Sequence, residues 1–144
     1  MTKGRSDENE NSGMVELVIQ SELGAAQAAE ERILSAVEDS GYRAEAAFAI
    51  RLSLEEAITN AIKHGNMNDR SKHITLRYAV DDKRAVIRVA DEGAGFDPSR
   101  IPDPTAPNRL SMPNGRGIML MRAYMDEVRY NRKGNEVRLV KRKN

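Results

Sequence analysis

Glu56 and Asn60 stand four residues apart in EEAITNAIKHGN, a spacing that puts both side chains on one face of a helix, with Lys63 and His64 a turn further on. Asn60 offers a neutral carbonyl oxygen of the hard type that Mg²⁺ accepts. Glu56, one turn away, is placed to accept the proton of an attacking hydroxyl. The bland alternative is a solvent-facing pair on an amphipathic helix. The second feature is DEGAGF, with Asp91 followed by Gly93 and Gly95. A carboxylate at the mouth of a core can accept the exocyclic amine of adenine, and glycines let a flat base approach the backbone. Turn chemistry after a strand explains the same letters. The third is Gly115-Arg116-Gly117 ahead of an apolar helix, where free backbone amides and the helix dipole attract an anion and Arg116 adds a phosphate contact. His64 and His73 do not form a metal-binding pattern and are expected at the surface or in caps.

The elements that must position these residues follow from periodicity. Met14–Gln20 alternates as a strand. An Ala-rich helix follows Gly24 and stops at Ser40-Gly41, and a second helix runs from about Ala44 to His64, with Gly65 at a left-handed cap. Phe48, Leu52, Ile58, Ala61 and Ile62 are its expected packing surface. His73–Val80 and Ala85–Asp91 form a hairpin around Asp81-Asp82-Lys83, and parity with Ile87 and Val89 turns Asp91 inward. All five prolines fall between Pro98 and Pro113, which forbids regular structure there and marks a functional lid at about 97–114. A helix over Ile118–Asp126, with Met119, Met121 and Met125 as core filler, precedes closing strands Val128–Asn131 and Asn135–Lys141. This order predicts an α+β, two-layer sandwich: a mixed, mostly antiparallel sheet with helices on one face.

Composition bounds the rest. The 144 residues predict one domain over 14–144 behind a tail of residues 1–13, too polar to order itself. Zero Cys excludes thiol chemistry and Cys-based metal sites. Apolar runs are far short of the ~20 residues that span a bilayer, and no signal-peptide pattern opens the chain, so the expected location is cytoplasmic, with no membrane partner. A net charge of +1 and six aromatics give no general drive toward nucleic acid. The charge is nonetheless uneven: Met14–Ser40 holds six acids against one base, and Arg129–Asn144 seven bases against Glu136. Opposed patches of this kind suit a protein partner, and a solvated basic tail explains the second equally well.

Taken together, the Glu56-x3-Asn60 box, DEGAGF, the lid and NGRGIMLMRAYMDEV resemble, in order and spacing, the N, G1 and G2 boxes of the Bergerat-type (GHKL, HATPase-like) ATP-binding fold. The resemblance covers roughly Ala44 to Val140. Within that family the wording and size look most like the anti-sigma-factor serine/threonine protein kinases. Gyrase, MutL and chaperone relatives carry long additional domains, and histidine kinases carry a phosphoacceptor helix pair. By position, the resemblance implies Glu56 as general base, Asn60 as Mg²⁺ ligand, Asp91 as adenine reader, and Gly93, Gly95, Gly115 and Gly117 as backbone close to nucleotide. Met112, Pro113 and Asn114 precede Gly115 where some members have a basic residue, so Arg116, or Arg109 from the lid, would hold the terminal phosphate. The implied function is ATP- and Mg²⁺-dependent phosphorylation of an anti-anti-sigma (STAS-type) partner by a homodimer that also binds a sigma factor. A module that holds ATP without transferring phosphate, and a stand-alone ATPase domain, remain the alternatives.

Overall fold

The computed structural model describes residues 10–95 and 115–144. In chain order they form β1 (Val15–Gln20), α1 (Leu23–Asp39), α2 (Ala44–Asn60) with a π-helical turn (Ala61–Gly65), β2 (His73–Val80), β3 (Arg84–Ala90), α3 (Gly115–Tyr124), β4 (Glu127–Tyr130) and β5 (Glu136–Arg142). The lid expected at 97–114 lies outside the described residues, as do residues 1–9 and the side chain of Arg116.

The five strands form one sheet in the order β1-β2-β3-β5-β4. Every pairing among them is antiparallel, so the α+β architecture is as expected but the described sheet is not mixed. The physical reason is the connectivity: β2 and β3 share a tight hairpin in which Asp81 Oδ1 accepts the N–H groups of Lys83 and Arg84 at 2.7 and 2.9 Å, and β4 turns directly into β5. Inward residues of alternating strands, among them Leu76, Ile87 and Leu139, meet Ile33 of α1, Ile50 and Leu54 of α2 and Ile118 and Met121 of α3, all fully buried. Each such side chain contributes about 1.5–3 kcal/mol.

Two expected core residues are not in the core. Phe48 is 54% exposed and Met119 is 50% exposed, each on the outer side of its helix, while Ala46, Ala49 and Ala57 of α2 and Ile118 and Met121 of α3 take the buried positions. Phe48 instead meets Tyr124 edge to face, with ring centroids 5.9 Å apart. The N-terminal tail also ends earlier than expected: Glu10 is folded onto the sheet, where it bonds two arginines. No helix among the described residues is long and apolar enough to cross a membrane.

Candidate functional site

The site forms where α2, the end of β3, the start of α3 and the β4–β5 turn meet. Glu56 and Asn60 do share a face of α2, and both are half-buried. What faces them is Gly117, in the first turn of α3. A Cβ at that glycine would overlap Glu56 Oε1 and lie 3.0 Å from Asn60 Nδ2. A side chain there would force Glu56 to shift, so the glycine lets α3 start in contact with the two polar side chains. Asn60 Nδ2 is buried with no hydrogen-bond partner among the described residues. A buried amide atom without a partner costs about 1–3 kcal/mol, and a ligand that accepts its hydrogen bond removes that cost.

Asp91 stands just past β3, facing inward as its parity requires and half-buried. Its Oδ1 accepts the Gly93 N–H at 2.8 Å, and its own N–H donates to the Asn135 carbonyl at 2.9 Å. Burial pushes the carboxyl above its ordinary value; the Gly93 amide and the charges of Lys72 and Lys133 pull the other way and do not cancel it. A carboxylate left in this condition gains from a ligand that donates hydrogen bonds to it.

Gly65 does not serve as a left-handed cap. The α2 helix ends in a π turn, in which the Asn66 N–H donates to the Ala61 carbonyl at 2.8 Å. Just past it, Met67 (φ 55°) and Asn68 (φ 59°) take the left-handed conformation instead. Gly65 is needed for a different reason, since a Cβ there would overlap the Asp91 carboxylate. Gly93 in turn lies against the Gly65 carbonyl, and Gly95, at φ 80°, against the Lys133 carbonyl of the β4–β5 turn. These glycines therefore let three backbone segments close on one another around Asp91.

Two residues of the site were not singled out by sequence reasoning. Asn66 is fully buried. Its Nδ2 donates to Ser21 Oγ at 3.1 Å and to the His73 carbonyl at 3.0 Å, and its Oδ1 accepts the Glu92 N–H at 2.8 Å. One side chain thereby ties the π turn to the ends of β1, β2 and β3 and sets the loop that carries Asp91. Tyr130, inward on β4, is largely buried with its hydroxyl pKa pushed up by burial and by the charges of Asp91 and Glu56, against the opposing pull of Arg122. Its signal was present in the alternation of Val128 and Tyr130; Asn66, past the last buried positions of α2 and its π turn, carried no period to betray it.

Asn60, Gly65, Asp91, Gly95 and Tyr130 line a common cavity of about 330 Å³, with His64 and the exposed Met67 at its edge. That volume is within the range of small-molecule sites. Glu56, Asn60, Asp91, Gly93, Gly95 and Gly117 are brought together. Gly115 opens α3 as expected.

The family described as histidine kinase-like ATPase domain matches residues 19–141. The serine-protein kinase RsbW of Bacillus subtilis is 32% identical over 109 residues, covering 70% of this chain and 68% of that protein. The serine-protein kinase RsbW of Oceanobacillus iheyensis is 30% identical over 97 residues, 63% of this chain and 61% of that protein. The matched stretch thus spans 61% of the length of one relative and 68% of the other. The crystal structure of the RsbU and RsbW domains of a Mycobacterium tuberculosis protein superposes with a TM-score of 0.60 over 90% of this chain and 31% of that one, at 15% identity, which speaks to the fold alone.

Proposed function

Since the chain belongs to the family of histidine kinase-like ATPase domains, we propose that it is an ATP-dependent serine/threonine protein kinase of the anti-sigma-factor type, acting in the cytoplasm. Its acceptor is a serine on an anti-anti-sigma (STAS-type) protein, its other partner is a sigma factor, and it works as a homodimer. One observation carries the reading: Gly117 of α3 closes on Glu56 and Asn60 of α2, beside a cavity that Asn60 shares with Asp91.

In this reading Asp91 accepts the exocyclic amine of adenine, and that hydrogen bond offsets the cost of burial that raises its pKa. The first turn of α3, from Gly115 to Gly117, presents backbone amides to the phosphates, with Arg116 as a further contact. Asn60 would supply one oxygen to a Mg²⁺ ion that comes with the nucleotide. Such an ion would supply neutralisation of charge on the transferring phosphoryl group. Glu56 takes the proton of the acceptor hydroxyl as its oxygen bonds to phosphorus, and ADP leaves. Phosphorylation adds about −1.5 to −2 charges to the acceptor and alters its docking.

The test is Glu56→Gln, assayed for ATP binding by calorimetry and for phosphoryl transfer to a STAS-type acceptor. Loss of transfer with ATP affinity preserved is the expected result. Unchanged transfer would remove Glu56 from the chemistry, and phosphate release without an acceptor would identify an ATPase instead.

A further inference from the structure

The face of the sheet that carries no helix holds an arrangement the nucleotide site does not explain. The strand registers align Arg77 with Arg88, Arg88 with Arg138 and Arg138 with Arg129, so four guanidinium side chains run in one row across β2, β3, β5 and β4. Like charges directly opposite one another across strands repel. The row therefore needs acids, and some come from the sheet itself: Glu16 reaches Arg77 at 2.8 Å, Glu136 reaches Arg88 at 3.4 Å, and Glu127 reaches Arg138 at 3.0 Å.

The central acid comes from elsewhere. Glu10, five residues before β1, places Oε1 2.7 Å from Arg88 Nη2 and 2.9 Å from Arg138 Nε, and Oε2 2.8 Å from Arg138 Nη2. One carboxylate thus engages two neighbouring guanidinium groups, the geometry that fixes an acid most strongly. Beneath it, Arg88 and Arg138 keep only 6% and 8% of their side chains exposed. Val86 and Val140, in the next row of the same face, are also buried. Yet the segment does not fit its seat completely, for Asn11 Oδ1, beside Glu10, is buried without a hydrogen-bond partner among the described residues. A burial cost of this kind falls on the docked state alone and favours exchange.

We propose that this arginine row is a docking surface for an acidic segment of a protein partner, with Glu10 as the chain's own occupant that the partner's carboxylate displaces. The chemistry selects a Glu or Asp side chain with small or apolar neighbours, since on one side the row is flanked by Ala79, Val86 and Val140. The surface lies on the face of the sheet turned away from α2 and α3, so an occupant there leaves the nucleotide site accessible.

The probe is a fluorescent peptide with the sequence of residues 1–13, added in trans to the full chain and followed by anisotropy. Glu10→Ala empties the seat and should bind the peptide about tenfold more tightly than the wild type, with affinity falling as salt is raised. The same peptide carrying Glu10→Gln should lose about that factor. Arg88→Met in the Glu10→Ala background should abolish binding; should that protein fail to fold by circular dichroism, the peptide substitution still decides. Equal binding to wild type and Glu10→Ala, indifference to the peptide's carboxylate, or no binding up to about 1 mM peptide would overturn the proposal. So would an assembly of Glu10→Ala that, without peptide, has twice the mass of the wild-type assembly, since a further copy would then be the occupant.

Discussion

On the helix-free face, Glu10 is held down to about 2 by its bonds to Arg138 and Arg88, which outweigh the cost of burial. On the covered side, Asp91 is pushed up by burial, with Lys72 and Lys133 too weakly coupled to offset it. Between α1 and α2, Glu30 is raised further, to about 7, by burial and by Glu55 beside it, despite Arg51 3.8 Å away. The contrast separates two uses of a carboxylate. An acid whose charge is matched in the folded chain acts as a clasp, exchangeable only for another acid. An acid left costly in a cavity, beside glycines and an unsatisfied amide, has interactions still to make, and a ligand is what makes them.

The largest test of that contrast is on the covered side. Glu56→Gln should lower phosphoryl transfer by about 10²–10⁴-fold with ATP affinity little changed, measured by acceptor labelling and calorimetry. Asp91→Asn should weaken ATP binding by about 10–100-fold, because it replaces a charged acceptor of the adenine amine. Affinity of the wild type should also fall on acidification as Asp91 takes up a proton, while Asp91→Asn shows no such dependence. Asn66→Ala leaves the Glu92 N–H and the His73 carbonyl without their partner and should cost about 1–3 kcal/mol in urea unfolding, with weaker ATP binding.

The two clasped or burdened glutamates should oppose each other in pH. The lowered pKa of Glu10 contributes stability that is present above its ordinary 4.5 and is lost as pH falls through about 2. The raised pKa of Glu30 contributes stability that is full below 4.5 and is lost as pH rises through about 7. Glu10→Gln should therefore flatten a stability–pH profile between about pH 4.5 and 2, and Glu30→Gln between about pH 4.5 and 7, each by about 1–2 kcal/mol after solvent screening. If both substitutions flattened the same limb, the distinction between clasped and burdened acids would fail.

Periodicity sufficed for the element order and for most of the covered face, since alternation in HITLRYAV and the 3.6-residue spacing in α2 are local patterns. The three site boxes were legible through their combination, order and spacing, because each alone reads equally well as turn or surface chemistry. Phe48 and Met119 were misassigned because hydrophobicity states a preference for burial, whereas exposure depends on which neighbours a helix meets.

By itself, then, the sequence determined what is local: which segments become helix or strand, and that Glu56 and Asn60 fall on a helix and Asp91 just past a strand. Only the tertiary structure decided what each residue faces. Gly65 proves necessary because of Asp91, 26 positions away, and Gly117 because of Glu56, 61 positions away. Asn66 matters through Ser21, His73 and Glu92, and Glu10 through two arginines on different strands. Excluded volume, hydrogen bonds and like-charge rows act through space, and chain order records none of those distances.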